Sequence, residues 1–302
     1  MQSRRAGNML AAFSFVLWGI ILPLYYQFLP QANTNELLAL RIIFSVPVML
    51  LVMLLLKRPL PTISTLLADK KSLFMCFIAG CIMSVSWYAF TWAITHGEVL
   101  AASLGYFINP LFAIALGLFF LSERLSKAQV AAVALAIIGI GYQVWQYGEL
   151  PWLSLIMGSF FAIYGLTKKY IKYDALTSVT IEAAVLTPFA VIYMIWLYLS
   201  GDSVSLTSGA TTFLLYVGSA PVTVAPLIFF ALALNRTSLT MVGLMQYIEP
   251  SLQFLLAVFL FGEVFDQTKA VSFGLIWFGL ILCTLEALPS LFHRKKKIAL
   301  PH

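Results

Sequence analysis

The sequence predicts an all-α integral membrane protein with ten transmembrane helices arranged as two inverted five-helix repeats. Its composition, the spacing of its apolar runs and a similarity between its two halves indicate this fold class. Hydrophobic residues make up 61% of the 302 residues and charged residues 10%, and the mean hydropathy is +0.94. Soluble domains are about 45–50% apolar and about 25% charged. Such a composition is stable only where lipid covers the apolar side chains.

Apolar runs long enough to cross a bilayer recur along the whole chain. A transmembrane helix needs about 20 predominantly apolar residues. The sixth run lies between Pro151 and Lys168 and is the shortest, so its assignment also depends on the repeat described below. The first run, after Arg5, lacks a small-residue cleavage site and is interpreted as a retained helix rather than a signal peptide. The predicted spans are residues 6–28, 36–56, 73–95, 99–121, 128–147, 150–167, 176–199, 211–234, 237–261 and 270–292.

Basic residues are concentrated in alternate connections between these spans. One set of connections and termini carries 16 of the 18 Lys and Arg residues, including the basic tail at 293–302. The other set carries Lys269, and Arg41 lies within a span. Because positive charge marks cytoplasmic loops, the sequence predicts that both termini are cytoplasmic.

The two halves of the chain resemble each other when one is shifted by 140 residues. Asn109-Pro110 then aligns with Glu249-Pro250, and the glutamate that follows each proline by 13 residues is Glu123 or Glu263. At a slightly different offset, residues 15–19 align with 161–165, so Trp18 matches Tyr164. The predicted repeats are residues 1–147 and 148–292. Each contains an odd number of crossings, so the second is inverted, a design that suits alternating access to a midplane site.

These motifs resemble the EamA-type members of the drug/metabolite transporter superfamily, and among them the RarD-like proteins. The resemblance covers essentially the whole chain and rests on Trp18-Gly19, Leu40-Arg41, the segment 110–126 and its second copy at 249–263. Val264 departs from the pattern, because the first copy has Arg124 at that position. The resemblance implies ten helices around a central cavity, a location in the bacterial inner membrane and export of small metabolites or drugs. The substrate is not implied.

Glu249 is the strongest candidate for a functional charge. It lies about twelve residues into a span of roughly 25, near the midplane, where an unpaired carboxylate costs several kcal/mol. Pro250 removes a helical N–H beside it. Gln246 shares its helix face, as Tyr106 and Asn109 share one in the first half. We expect Glu249 to bind substrate or carry a proton; a neutral carboxyl bonded to a neighbouring helix is the structural alternative.

Arg41 and Glu182 are further candidates for coupling or gating. They occupy matching places in the second and seventh spans, but the inversion separates their Cα atoms in depth by roughly 15 Å. We therefore expect no direct pair. We expect Arg41 to contact an extracellular carboxylate or an anionic substrate, and Glu182 to contact a cytoplasmic base. Structural anchoring is the open alternative for both, since charges near helix ends commonly extend to the membrane surface.

Polar-tipped aromatic residues in the spans complete the predicted site. Rings of this kind can hold a flat or amphipathic substrate, although ordinary packing is the alternative for each residue taken singly. Trp18 and Tyr164 are favoured for the cavity because they lie at mid-depth in equivalent helices. The predicted substrate-binding residues are Trp18, Tyr88, Tyr106, Asn109, Tyr164, Gln246, Tyr247 and Glu249.

Other classes of protein fit the sequence poorly. It has no zinc-protease motif and no phosphate-binding loop, and Cys76, Cys81 and Cys283 lie in apolar segments that contain no histidine. We therefore expect no enzyme, no cofactor, no metal site and no nucleic-acid partner. The expected partners are a small-molecule substrate, the lipid bilayer and protons, and a homodimer remains open. A passive channel or facilitator is the rival to a transporter.

Overall fold

The structure is a computed structural model that describes residues 2–26, 28–29, 33–95, 99–148, 152–260 and 266–298. Glu263 of the repeat motif and the last four residues of the basic tail lie outside these ranges. The helices are α1 (Gln2–Tyr26), α2 (Thr34–Leu55), α3 (Ile63–Ala68), α4 (Lys70–Thr95), α5 (Val99–Leu121), α6 (Lys127–Tyr147), α7 (Trp152–Tyr170), α8 (Ala175–Leu199), α9 (Val204–Thr207), α10 (Ala210–Leu234), α11 (Leu239–Gln246), α12 (Ile248–Phe259) and α13 (Gln267–Ile298).

Most of these helices have the length and composition of membrane spans. Within the described ranges, seven helices are long and apolar enough to cross a membrane, namely α1, α2, α4, α6, α8, α10 and α13. Helix α5 contains a shorter apolar stretch, Tyr106–Leu121. The prediction of a helical, multi-pass membrane protein is therefore confirmed. Helix α7 and the pair α11–α12 occupy the sixth and ninth predicted spans.

Local sequence explains where several helices begin or break. Asp69 precedes α4 and accepts hydrogen bonds from the backbone N–H of Ser72 at 3.0 Å and from its hydroxyl at 2.8 Å. These bonds hold the pKa of the Asp69 carboxyl below its usual value. The ninth predicted span is interrupted at Tyr247, between α11 and α12. Pro250 explains the break, because it has no N–H for the carbonyl four residues earlier.

Contacts between helices cross from one half of the chain to the other. Helix α1 packs against α10, α11 and α12, and α7 packs against α4 and α5. Two further pairs, α2 with α8 and α6 with α13, also join the halves. Small residues permit close approach: a Cβ atom on Gly243 of α11 would lie 3.0 Å from the carbonyl oxygen of Pro110 in α5. The two halves therefore share one interior.

The bundle has two chemically different ends. At the end where α1 begins and α5 ends, the Thr237 hydroxyl donates to Asn8 Oδ1 at 2.5 Å, and the Lys172 N–H donates to Ser72 Oγ at 3.0 Å. We call this the basic end, because Lys and Arg residues cluster in its connections. At the other end, where α2 begins and α8 ends, the Asn33 N–H donates to the Tyr216 hydroxyl at 2.9 Å. We call this the acidic end, because its connections carry acidic residues and few bases.

Candidate functional site

A small cavity lies at the centre of the bundle, where helices of both halves meet. Its volume is about 40 Å³, enough for water molecules but far below the roughly 300 Å³ of a typical ligand pocket. The space left at the site in this conformation is therefore too small for a drug-sized ligand. We call it the central cavity, and its lining residues are Trp18, Leu22, Ser86, Trp87, Phe90, Tyr106, Asn109, Met157, Phe161, Gln246 and Glu249.

Glu249 lies in the first turn of α12, at the wall of the central cavity. Its side chain is buried, and the residue is only 3% exposed. Within the described part of the chain it accepts a hydrogen bond from Gln253 Nε2 at 3.4 Å, a long contact. Tyr247, between α11 and α12, keeps helical dihedral angles (φ −63°, ψ −13°), so α12 continues the course of α11 and carries Glu249 into the cavity wall. The carboxyl group therefore retains capacity to bond a molecule in the cavity.

Two further polar side chains face this cavity with incomplete hydrogen bonding. Asn109 Oδ1 and Gln246 Nε2 are buried, and neither has a hydrogen-bond partner among the described residues. A buried polar atom without a partner costs about 1–3 kcal/mol. One is an acceptor and the other a donor. A polar molecule in the cavity, either water or substrate, would satisfy both.

Aromatic rings form the apolar part of the wall. Trp18 makes edge-to-face contact with Phe161 at 5.8 Å between centroids, and it also contacts Phe230 at 5.7 Å. On the other side of the cavity, Phe90 and Tyr106 pack edge to face at 5.3 Å. Such ring pairs hold one another in position. The central cavity thus combines an aromatic wall with the polar side chains of Asn109, Gln246 and Glu249.

Three of the predicted binding residues do not line the central cavity. Tyr88 is 43% exposed on the outer surface of α4. Tyr164 is fully buried behind Phe230, against which it stacks at 6.1 Å. Tyr247 packs into a separate apolar cluster with Phe107 and its neighbours on α6 and α13. The structure therefore brings Trp18, Tyr106, Asn109, Gln246 and Glu249 together and leaves the other three apart.

Glu182 forms a buried ion pair on the side of the bundle formed by α7 and α8. Its Oε1 lies 2.5 Å from Lys168 Nζ, and its Oε2 accepts a hydrogen bond from the Tyr164 hydroxyl at 2.9 Å. Lys168 Nζ also donates to Ser178 Oγ at 2.6 Å. Glu182 thus pairs with Lys168, which lies in the last turn of α7, toward the basic end of the bundle. The hydrogen bonds from Lys168 to Ser178 and from Tyr164 to Glu182 offset part of the cost of burying two charges.

Arg41 lies elsewhere, in the interior of α2. It is buried, and its guanidinium carbon lies 5.1 Å from the ring centroid of Trp87. A cation over an indole face is attracted by the ring quadrupole. Trp87 itself lines the central cavity. Arg41 therefore contacts Trp87, a residue of the cavity wall, and does not itself line the central cavity. This contact is with an aromatic ring, whereas Glu182 forms an ion pair.

Sequence reasoning missed part of the cavity wall. Leu22, Ser86, Met157 and Phe161 line it, yet apolar and hydroxyl side chains in a transmembrane helix carry no chemical signal. The spacing of the lining residues was a usable signal. Trp18 and Leu22 lie four residues apart, as do Met157 and Phe161, and residues at this spacing share a helix face. Among the described residues, no group of three His, Cys, Asp or Glu side chains is placed to hold a metal ion.

The fold and the cavity define a class, a multi-pass helical membrane protein with a polar site enclosed at the centre of the bundle. The model of the EamA-like transporter family matches residues 5–143 and 150–285. The chain therefore belongs to the EamA-like transporter family, and the resemblance inferred from its motifs is confirmed. It is a bacterial membrane transporter of small solutes, and its family and relatives are transporters rather than enzymes.

Individual relatives match over almost their whole length. The chain is 36% identical over 287 residues to an uncharacterized transporter of Vibrio cholerae, across 95% of this chain and 94% of the relative. It is 37% identical over 287 residues to the protein RarD of Escherichia coli, across 95% of this chain and 96% of the relative. A crystal structure aligns with a TM-score of 0.71 at 17% identity, across 95% of this chain and 99% of the other. That likeness shows the fold alone.

Proposed function

We propose that this chain is a secondary transporter that exports small metabolites or drugs by alternating access to the central cavity, with proton coupling through Glu249. One observation carries this proposal: a buried carboxyl, an acceptor at Asn109 and a donor at Gln246 meet in a closed cavity between the two halves. A polar ligand fits these groups. The binding residues of the proposal are those five that line the cavity, Trp18, Tyr106, Asn109, Gln246 and Glu249.

The pattern of helix packing supports ten crossings in two inverted repeats, residues 1–147 and 148–292. When the halves are exchanged, α1 takes the place of α7, and α10 and α11–α12 take the places of α4 and α5. The contacts of α1 with α10, α11 and α12 then correspond to those of α7 with α4 and α5. The pairs α2 with α8 and α6 with α13 map onto themselves. This exchange symmetry allows the halves to swap conformations around one site.

A carboxylate closes the cavity toward the basic end. Glu123, at the end of α5 in the first half, accepts hydrogen bonds from the backbone N–H groups of Leu239 at 2.8 Å and Thr240 at 2.7 Å. These are the first residues of α11 in the second half, where N–H groups have no helical partner. Lys169 adds to the closure by donating to the carbonyl oxygens of Leu234 and Thr237. In the proposed cycle these bonds break when the site opens to the cytoplasm.

A second carboxylate joins the two halves at the acidic end. Glu36, at the start of α2 in the first half, is fully buried. It accepts hydrogen bonds from the hydroxyl groups of Ser203 and Ser205, each at 2.6 Å, and from the backbone N–H groups of Val204 at 2.9 Å and Ser205 at 3.0 Å. The acceptor belongs to one half and the donors to the other. In the proposed cycle, this contact closes the acidic end as the Glu123 contact closes the basic end.

A passive channel or facilitator fits these features less well. A channel needs a continuous path, whereas the central cavity of this conformation has a volume of only about 40 Å³. Coupling needs a group that changes its protonation during the cycle, and Glu249 is the carboxyl in the cavity wall.

Arg41 and Glu182 remain proposals for gating. The charge pattern of the loops supports cytoplasmic termini in the inner membrane.

Purified protein in liposomes tests the proposed function directly. A panel of labelled metabolites and uncharged drugs would be offered with and without a pH gradient across the membrane. We expect at least one compound to accumulate above its equilibrium level only when the gradient is present. Flux that follows the compound's own gradient alone, for every compound that moves, would favour the facilitator.

The two carboxylate closures provide a separate test of alternating access. A cysteine would replace Leu22 in the cavity wall, in a background without Cys76, Cys81 and Cys283, and an impermeant thiol reagent would be added to one side of the membrane. We expect Glu123→Gln to increase modification from the basic end and Glu36→Gln to increase it from the acidic end. Asp202→Asn is the matched control, since Asp202 is an exposed carboxylate outside both closures. Equal modification from both sides in either variant would contradict the two-closure model.

A further inference from the structure

A larger cavity lies outside the central one, between α2, α4 and α8. Its volume is about 330 Å³, within the roughly 300–1,000 Å³ of small-molecule sites. Leu38, Ile42, Leu186 and Phe189 form much of its apolar wall. It occupies the half of the bundle nearer the acidic end, because it includes the first turns of α2 and the later turns of α8. We call this cavity the side vestibule.

The side vestibule opens at a surface of the bundle that faces lipid. Phe189, on its wall, is 63% exposed. Ile192 and Trp196 follow on α8 at intervals that keep them near the same helix face, and both are more than half exposed. A row of large exposed apolar side chains on a transmembrane helix contacts acyl chains. The mouth of the side vestibule is therefore accessible from within the bilayer.

A narrower cavity connects the side vestibule with the site. This cavity, which we call the neck, has a volume of about 50 Å³ and shares Ile42, Ser84 and Leu186 with the side vestibule. It also shares Trp87 with the central cavity. The neck is therefore adjacent to both other cavities, and Trp87 contributes to its wall and to that of the central cavity. The Arg41 guanidinium lies 5.1 Å from the centroid of this ring, and its attraction to the ring favours the present position of the indole.

We propose that the side vestibule binds an uncharged amphipathic solute dissolved in the bilayer, and that Trp87 is the door through which this solute exchanges with the central cavity. This inference deepens the proposed transport function and depends on it for the direction of movement. The apolar wall would reject an ion, which loses its hydration on leaving water. Glu182 lines the neck, but its charge is paired with Lys168, so the neck suits an uncharged body as well. The central cavity then receives the polar end of the solute.

A hydrophobic photolabel tests where such a solute binds. 3-Trifluoromethyl-3-phenyldiazirine is an uncharged aromatic probe that partitions into liposomes, and its adducts can be assigned by mass spectrometry. We expect adducts at Leu38 and Leu186 to exceed those at Ile192 and Trp196 by about fivefold, because a bound probe stays longer than one that only collides with the surface. An excess of trifluoromethylbenzene, an aromatic competitor that lacks the diazirine, should reduce the vestibule adducts and leave the surface adducts unchanged.

Two substitutions separate the side vestibule from the path beyond it. Ala190→Trp fills the side vestibule and should remove both the vestibule adducts and any adducts at Met83 in the neck. Ala183→Trp narrows the neck, because Ala183 lines the neck and not the side vestibule, and it should remove the Met83 adducts while the Leu38 adducts remain. Ala190→Leu and Ala183→Leu serve the same purpose if the larger side chain prevents folding. Ile192→Trp is the matched control, because it adds the same ring to the lipid-facing surface of α8.

The possible results either support or overturn the inference. Uniform labelling of every lipid-exposed face, unaffected by the competitor, would mean that acyl chains alone fill the side vestibule and would overturn the inference. Adducts suppressed by crosslinking of two copies through this face would assign it to a dimer and also overturn it. Vestibule labelling that persists in Glu249→Gln, together with lost gradient-driven transport in that variant, would support it. If the wild-type protein shows the same labelling but no uphill transport, the binding site in the side vestibule stands and the proposed transport function is wrong.

Discussion

Gly19 of α1 lies directly against the backbone of Glu249. A Cβ atom at position 19 would stand 3.0 Å from the Glu249 carbonyl oxygen and 3.2 Å from its Cα. This contact joins the first helix of one half to the helix that carries the central carboxyl in the other. It also explains why a glycine follows Trp18: the indole reaches the central cavity, while the next residue allows the two backbones to approach.

Gly19→Ala should therefore displace Glu249 and weaken both folding and transport. The new methyl group contacts backbone, which yields less readily than a flexible side chain, and overpacking of this kind costs about 1–3 kcal/mol. Thermal unfolding in detergent and transport in liposomes measure the two effects. Gly141→Ala in α6 is the control, because a Cβ atom there meets nothing within 4 Å. An unchanged Gly19→Ala protein would show that the α1–α12 contact can relax.

The aromatic pair Trp18 and Tyr164 should respond differently to truncation, although they occupy equivalent positions in the repeat. Trp18 lines the central cavity, so Trp18→Ala should raise the half-saturation concentration for substrate by about tenfold, the loss of roughly 1.4 kcal/mol of binding. Tyr164→Ala should lower thermal stability and leave half-saturation near the wild-type value, since its hydroxyl bonds Glu182 outside the cavity. Concentration-dependent uptake distinguishes the two. Equal effects on half-saturation would mean that the substrate reaches both rings.

The buried pair of Lys168 and Glu182 should show strong coupling in a double-mutant cycle. Lys168→Met alone leaves a buried carboxylate without its base, which costs about 3–5 kcal/mol. Glu182→Met alone leaves the buried ammonium and should cost a similar amount. We expect the double variant to recover most of the thermal stability, and a double variant no more stable than either single one would contradict the pairing. If stability returns and transport does not, Glu182 takes part in gating; if both return, the pair is an anchor.

Much of the helical organisation could be predicted because lipid imposes a length and a hydropathy on each span. Each predicted span coincides with a helix to within a few residues, apart from the break at Tyr247 and the extension of α13. The position of that break follows from Pro250, which the sequence analysis had marked as a weak point. The hydrogen bonds of Glu123 and Glu36 could not be predicted, since the donors are backbone N–H groups more than one hundred residues away.

The candidate site was predictable only where polarity marked it. Asn109, Gln246 and Glu249 stand out in apolar helices, and the structure brings them to one cavity. Aromatic residues could not be sorted in this way. A ring that lines a cavity and a ring that packs in the core belong to the same residue types and lie at the same depth in the membrane. Tyr247 illustrates the limit: it lies two residues before Glu249, but rotation about the helix axis turns it into the cluster around Phe107.

The central claim is that Glu249 carries the coupled proton, and one comparison tests it most directly. Glu249→Gln keeps the size of the side chain and its capacity to accept from Gln253, but an amide cannot take up and release a proton. Position 109, the repeat equivalent, is Asn, so this wall of the cavity already tolerates an amide. Asn109→Ala should mainly change affinity, and Glu286→Gln is the control for loss of a carboxyl away from the cavity.

The measurement is accumulation of a transported compound in liposomes under an imposed pH gradient, beside exchange of the same compound with no gradient. For Glu249→Gln we predict that accumulation falls to the equilibrium level, while exchange continues at a reduced rate. Full gradient-driven accumulation by Glu249→Gln, with normal amounts of protein in the membrane, would contradict the account and leave Glu249 a structural carboxyl.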